Sequence, residues 1–145
     1  MFLQLPGITG GAQDPKFKNQ LAVDSLTWSI GGITDLHASA SQLSQQCYTK
    51  VFVGDVSIQR KMCVGSPSVL SIFQKRTAFA TGTITAVISG SVQLVYNLTG
   101  VSIPQYTQNV ANQVPTESLI LHFAEMKMTY AGASFSYKAY TTTGT

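Results

Sequence analysis

The sequence predicts a mainly β domain, a small closed or curved antiparallel barrel with one short helix. Short segments that alternate apolar and polar residues recur along the chain, turn residues separate them, and one segment carries helix-start signals. A chain of 145 residues is long enough for one core, so residues 1–145 are expected to form a single domain.

The N-terminal part is expected to supply two strands and a long loop. A short strand, Phe2–Ile8, ends at a proline-glycine turn, and a second strand, Leu21–Ile30, alternates clearly. One face of that second strand is predicted to lie in the core and the other to be polar: Leu26, Trp28 and Ile30 against Ser25, Thr27 and Ser29. The segment Ile33–Thr49 has no sustained period and is predicted to be a loop, which at this length indicates a functional role.

A strand over Lys50–Arg60 precedes the predicted helix, which runs from about Pro67 to Arg76. Ser66 is expected to cap the helix with its side-chain oxygen, and proline suits the first helical position because it lacks an N–H. Three residues are expected to form the buried stripe: Val69, Leu70 and Phe73. Lys75 and Arg76 fall in the predicted last turn, where positive charge favours the helix dipole.

The C-terminal part is predicted to contain a hairpin, a second loop and two further strands. Gly82–Ile88 and Val92–Val101 alternate on either side of the turn Ser89–Ser91. The polar segment Gln105–Val114 is predicted to be a loop, and Ser134–Thr143 to be the last strand.

The longest apolar-rich run, Thr116–Tyr130, fits both a helical and a strand period. The barrel context favours one long curved strand with a bulge near Ala124–Glu125, where the buried parity changes. On this interpretation six residues face the core: Leu119, Leu121, Phe123, Met126, Met128 and Tyr130.

Charged residues make up 10% of the chain, against about 25% in a typical soluble protein. The surface is therefore either an ordinary polar β surface or one that other subunits cover. Basic residues are scattered, so no nucleic-acid partner is expected, and no apolar run is long enough for membrane insertion. The N-terminus lacks the pattern of a signal peptide, which predicts synthesis in the cytoplasm and export by another route.

The residue patterns predict no enzyme, no cofactor and no metal site. No nucleophile motif occurs, and the acidic residues form no close pair in sequence. His37 and His122 have no carboxylate or cysteine at ligand spacing. Cys47 and Cys63 are expected to be free thiols, without redox or metal spacing.

Three blocks of residues, taken in order, resemble the haemolysin-coregulated protein (Hcp) family, the tube subunits of bacterial type VI secretion systems. They are Met1–Leu3 with Gly7–Gly10 and Leu26–Ser29; Gly54–Ile58 with Lys61 and the helix that follows Ser66-Pro67; and Glu117–Leu119 with Leu121, Phe123-Ala124, Met126-Lys127 and Tyr130. The resemblance covers most of the chain.

The resemblance implies a phage tail-tube-like barrel that assembles into hexameric rings. The rings stack into a tube, meet sheath and spike proteins, carry or stabilise effectors in the channel, and are secreted. Two other functions stay open at this point: a tail-tube protein of a phage or another contractile injection system, and a monomeric ligand-binding barrel. The cavity of such a barrel would be lined by Trp28, Phe73, Phe123 and Met126.

Within this interpretation two surfaces are candidate sites. The channel wall, with its effector contacts, is assigned to the polar side of the second strand, at Ser25, Thr27 and Ser29. The contact between stacked rings is assigned to the long loop, at Asp35, His37, Gln42, Gln45 and Gln46.

Overall fold

A computed structural model describes residues 1–34 and 48–139, and its main feature is antiparallel β structure. The strands are β1 (Phe2–Gln4), β2 (Leu21–Ala22), β3 (Ser25–Thr27), β4 (Ile30–Thr34), β5 (Tyr48–Val53), β6 (Val56–Lys61), β7 (Phe79–Ile88), β8 (Ser91–Ala111), β9 (Val114–His122), β10 (Glu125–Tyr130) and β11 (Ala133–Lys138). The helix is α1 (Ser66–Gln74). The predicted fold class, mainly β with one short helix, is confirmed.

One curved sheet contains nine of these strands, in the hydrogen-bonded order β2-β1-β7-β8-β9-β6-β3, with β10 paired to β8 and β11 to β10. The two ends of this path, β2 and β3, are consecutive in the chain. Between them the N–H of Val23 donates to Met1 on one side (2.8 Å), and that of Asp24 donates to Gln59 on the other (2.9 Å). The sheet therefore curves until its two edges meet in one segment, without closing its hydrogen-bond ladder.

The remaining strands, β4 and β5, form a separate two-stranded hairpin. Within the described residues, no helix is long and apolar enough to cross a membrane.

The long strand of the fold is β8, with 21 residues, and not the Thr116–Tyr130 run. That run is divided into β9 and β10. The first half of β8 pairs with β7 and β10, and its second half pairs with β9. The prediction of a loop at Gln105–Val114 was wrong, because most of this segment completes β8 and is held by its pairing with β9.

A shared bend lies at Gly100 of β8 and Ala124 between β9 and β10. Gly100 has a φ of 62°, and the buried side of β8 changes there from Leu98 to Val101. In the neighbouring β9–β10 segment the buried side changes at the same level, from Phe123 to Met126. Because both segments change their buried side at the same level, the pairing register between them is unbroken across the bend.

The predicted irregularity near Ala124 is thus confirmed. So is the burial of Leu119, Leu121, Phe123 and Met126. Met128 is half-buried against the core. Tyr130 is 53% exposed, so its assignment to the core was wrong; it ends β10 at the Ala131-Gly132 turn, beyond the reach of the core.

We expect Gly100→Ala to lower the free energy of unfolding by about 1–3 kcal/mol, because a left-handed φ strains any residue with a Cβ. A Cβ there would also lie 3.1 Å from that of Ala124. Urea denaturation gives the measurement. The matched control is Gly90→Ala, where φ is also positive (77°) but a Cβ meets nothing within 4 Å. Equal losses in the two variants would contradict a role for the bend contact.

The predicted second strand, Leu21–Ile30, is divided among β2, β3 and the start of β4. The division falls at Val23-Asp24 because the segment changes its pairing partner there, from β1 to β6. Leu26 and Trp28 pack against the core, and the Trp28 indole donates a hydrogen bond to the Tyr96 hydroxyl (3.2 Å). Ile30 is 51% exposed. Its assignment to the core was wrong, since it already belongs to the β4–β5 hairpin outside the sheet.

The helix begins with proline in its first turn, as predicted, but its N-cap residue is Gly65 and not Ser66. The Ser66 side chain is buried and turns away from the first-turn amides. Val69 is buried and Ile72 packs against the core, whereas Phe73 is 39% exposed, so its assignment to the buried stripe was wrong. The helix ends at Gln74, which places Lys75 and Arg76 just beyond its last turn.

Candidate functional site

The outward side of β3, β6, β9 and the end of β8 forms a continuous surface that we call the polar face. Strand pairing aligns its residues in two rows: Ser25, Gln59, Ser118 and Thr107, then Thr27, Ser57, Ile120 and Gln105. Seven of these eight side chains are polar and uncharged, and none is charged. The inward rows of the same strands supply core residues such as Leu26, Ile58 and Leu119, so alternation commits the polar face to the outside.

The candidate channel-wall residues lie on or beside the polar face. Ser25 and Thr27 are exposed within it. Ser29 is exposed just past the end of β3. It lies close to Gly54, where an added Cβ would be 3.1 Å from the Ser29 hydroxyl. The structure thus brings two of the three together on one surface and places the third at its end.

Several polar-face residues come from strands that sequence reasoning did not connect to this site. Gln59 and Ser118 lie in predicted strands, and each is next to one buried apolar residue, Ile58 or Leu119, so that pattern could have identified them. Thr107 was missed because its segment was predicted to be a loop. At one end of the face these residues line a recess of about 360 Å³, together with Asp24, Asn109 and Thr116.

The candidate ring-stacking residues Asp35, His37, Gln42, Gln45 and Gln46 lie outside the described residues, as does Cys47. Their assignment stays a prediction.

A second outward surface, the charged face, covers β7, the start of β8, β10 and β11. Its paired rows are Thr81, Thr99, Glu125 and Lys138, then Thr83, Asn97, Lys127 and Ser136. Lys138 and Glu125 form an ion pair (2.8 Å). These two rows carry both signs of charge, whereas the two rows of the polar face carry none. Charged side chains on the side of the polar face lie beyond its rows, at Asp24 in the recess, at Lys61 past Gln59 and at the Asp55–His122 pair at the opposite end.

Beneath the recess lies a buried ionic cluster of Arg60, Glu117, Ser66, Tyr106 and Cys63. The Arg60 guanidinium pairs with the Glu117 carboxylate, and both residues are almost completely buried (1% and 2% exposed). The carboxylate also accepts hydrogen bonds from the hydroxyls of Ser66 (3.0 Å) and Tyr106 (2.6 Å). Arg60 further donates to the Ala22 carbonyl (3.0 Å). The cluster ties α1 to β2, β6, β8 and β9.

Cys63 stands at the edge of this cluster as a half-buried free thiol. Burial acts to raise its pKa, but hydrogen bonds from the Gly65 amide and the Arg60 guanidinium outweigh burial, so the pKa falls below its usual 9.0. Burial raises the pKa of Tyr106, with the Arg60 charge opposing it.

The lowered pKa of Cys63 can be tested in a Cys47→Ser variant by alkylation with iodoacetamide. We expect half-maximal alkylation of Cys63 at a lower pH in the folded protein than in urea, because the pKa of the thiol returns to about 9.0 on unfolding. Because the folded pKa is the lower one, ionised Cys63 stabilises the fold above its unfolded pKa, and this is lost as pH falls through the folded pKa. Mass spectrometry of the Cys63 peptide gives both pH profiles. Coinciding profiles would contradict the lowered pKa.

His122 and Asp55 form an exposed pair, with Nδ1 and Oδ1 2.7 Å apart. Among residues 1–34 and 48–139, no three His, Cys, Asp or Glu side chains are grouped so that they could hold a metal ion. Of the four side chains considered for a ligand cavity, Phe123 and Met126 are in the core and Trp28 packs against it, whereas Phe73 lines a surface cleft beside Pro104.

Comparison with known proteins gives one family and a set of similar folds. Residues 2–130 match the sequence model of a family described as type VI secretion system effector, Hcp. None of the curated protein sequences compared with the chain matches it.

Three solved structures illustrate the structural likeness. A type VI secretion system effector from Yersinia pestis has a TM-score of 0.79 at 19% identity, covering 95% of this chain and 98% of its own. Hcp1 from Salmonella typhimurium gives 0.74 at 20% identity, with 93% and 89% covered. Hcp2 from the same organism gives 0.73 at 21% identity, with 95% and 94% covered. At these identities the likeness shows a shared fold.

Proposed function

The chain belongs to the Hcp family of type VI secretion proteins, and from this premise we propose that it is a structural subunit of the secretion tube. It assembles into hexameric rings that stack inside a sheath, below a spike, and it carries or stabilises effectors in the central channel. It is made in the bacterial cytoplasm and leaves the cell through the machine that it builds.

The uncharged polar face is the observation that carries this proposal. In a ring, every side chain on the channel wall recurs once per subunit at the same height. A single charge would therefore become a circle of like charges that repel one another and attract or reject cargo strongly. The polar face avoids this, because its serine, threonine and glutamine side chains offer many weak hydrogen bonds.

The charged face suits the outside of the ring for the same reason. There, charges of both signs are far from their copies and in contact with solvent or with a sheath. Ring closure also needs head-to-tail contacts between different patches of neighbouring subunits. Among residues 1–34 and 48–139, β11 pairs with β10 alone, and its other edge is available for such a contact.

The direct test is the size of the purified protein. We expect sedimentation and light scattering to give a sixfold multiple of the 15.5 kDa chain, and electron microscopy to show rings with an open centre. A monomer at every concentration would refute the proposal.

The channel-wall assignment is tested with Ser118→Lys, which puts one positive charge per subunit on the polar face. Rings should remain, while the proteins that accompany the tube into the culture supernatant should be reduced at least tenfold. Ser136→Lys places the same change on the charged face and is the matched control. Ser29→Lys is a second test and should behave like Ser118→Lys. Unchanged secretion in both variants, with rings intact, would refute the channel-wall assignment.

A further inference from the structure

A recess of about 360 Å³ lies at the end of the polar face, where β8 and β9 approach the turn that joins them. Five polar, uncharged residues line it: Gln59, Thr107, Asn109, Thr116 and Ser118. Ligand sites in proteins usually hold about 300–1,000 Å³, so this recess suits one side chain or one small molecule.

Asp24 gives the recess its net charge. Three charged residues line it, and the carboxylates of Asp24 and Glu117 against the guanidinium of Arg60 leave one negative charge. Arg60 and Glu117 neutralise each other as the buried pair, whereas Asp24 is exposed. Among residues 1–34 and 48–139 Asp24 belongs to no ion pair, and exposed Lys61 is not part of the lining. The free charge of the recess is therefore that of one accessible carboxylate.

The guanidinium beneath the recess is already committed to the protein. Arg60 donates hydrogen bonds to four groups: the Ala22 carbonyl, the Glu117 carboxylate, the Ser66 hydroxyl and the Cys63 sulfur. Because Arg60 is only 1% exposed, it offers little to a ligand that arrives from solvent. An anion would meet the Asp24 charge without gaining a cation, so the recess selects for positive charge.

The uncharged lining completes a site for a group that carries several donors. The side-chain oxygens of Gln59 and Asn109 and the three hydroxyls can all accept hydrogen bonds. A guanidinium has five N–H donors in one plane and can pair with a carboxylate through two of them. An ammonium is compact and has three donors, so it would leave more of these acceptors unused.

The geometry points to a site for an arginine side chain of a cargo protein. Asp24 pairs with the guanidinium, and Gln59 and Asn109 accept further hydrogen bonds from it. The inference rests on the proposed function, in which the polar face, and this recess with it, opens to the channel.

The ring multiplies this contact. One exposed arginine–carboxylate pair is weak, because water and salt screen it. A ring repeats the recess once per subunit at the same height, so a cargo with several spaced surface arginines gains from all the contacts that it can reach at once. Each contact can also break singly, which lets the cargo leave. The class of cargo selected is therefore a protein with arginines spread over its surface.

The test is the binding of a fluorescein-labelled peptide in which Gly-Ser pairs separate four arginines, titrated with purified rings at low salt and followed by fluorescence anisotropy. Asp24→Asn should weaken binding about fivefold or more, because it removes the net charge of the recess and keeps its shape. The matched control is Asp14→Asn, which removes an exposed carboxylate beside the β7–β8 turn and changes the charge of the chain equally. It should leave the affinity unchanged. Sedimentation confirms the rings in both variants.

Two further ligands identify the chemistry that is bound. The same peptide with citrulline in place of arginine keeps the shape without the charge, and it should bind about fivefold more weakly or worse. Spermidine, a free polyamine, should displace the arginine peptide only at much higher concentration. Equal losses in Asp24→Asn and Asp14→Asn, equal binding of the citrulline peptide, or tighter binding of spermidine would each overturn this inference alone. Wild-type protein that forms no rings would overturn the proposed function, while the same titration of single chains would still decide whether the recess binds arginine.

Discussion

Replacing Glu117 with alanine should destabilise the fold by about 3–5 kcal/mol, because the change leaves the Arg60 guanidinium charged, buried and without its carboxylate. Arg60 is 1% exposed and cannot turn to solvent without opening the sheet. The hydroxyls of Ser66 and Tyr106 lose their acceptor at the same time. Urea denaturation followed by tryptophan fluorescence measures the loss.

Two further variants show whether the ion pair is responsible. Glu125→Ala removes an exposed partner of Lys138 and should leave the urea midpoint unchanged, because solvent screens that pair. The double variant Arg60→Met with Glu117→Leu removes both buried charges and should be more stable than Glu117→Ala alone. A double variant no more stable than Glu117→Ala would contradict the role given to the unpaired Arg60 charge.

The second large effect is expected at Leu119, which is 0% exposed at the centre of the core. Leu119→Ala should cost about 2–5 kcal/mol, because it removes buried methyl groups and leaves a cavity among well-packed neighbours. Its partners across the sheet, Ile58 and Tyr106, face the same side and are held by their own strands. Their freedom to fill the space is therefore small.

The neighbouring residue provides the control for this prediction. Ile120 is half-buried on the polar face, so Ile120→Ala should cost less than half as much as Leu119→Ala. Both changes act on one strand and remove apolar atoms from adjacent positions. Equal losses would mean that the polar face of β9 is as closely packed as the core, contrary to the alternation described above.

Alternation predicted the strands in which one side is mainly apolar. β7, the start of β8 and β9 are of this kind, and Leu119, Leu121 and Phe123 were correctly placed in the core. The end of β8 was missed because Gln108 and Asn109 are polar on successive positions, beyond the edge of the core. Hydrogen bonding to β9 makes this segment a strand, and that pairing is a tertiary property that local sequence does not record.

The site was partly predictable for the same reason. Ser25 and Thr27 stood out because their own strand alternates. The rest of the polar face depends on which strands lie side by side. The buried pair of Arg60 and Glu117 was not recognised, since charged residues are usually at the surface and only the register sets these two opposite each other.

The strand order also constrains how the chain can fold as it is synthesised. β1 takes β7 as its neighbour, and β6 takes β9, so the two strands that join the N-terminal half to the sheet wait for partners made later. β7, β8 and β9 are joined by two-residue turns and can pair as soon as they emerge from the ribosome. Folding should therefore begin from the C-terminal half, with the N-terminal half docking onto it only after His122 has left the exit tunnel.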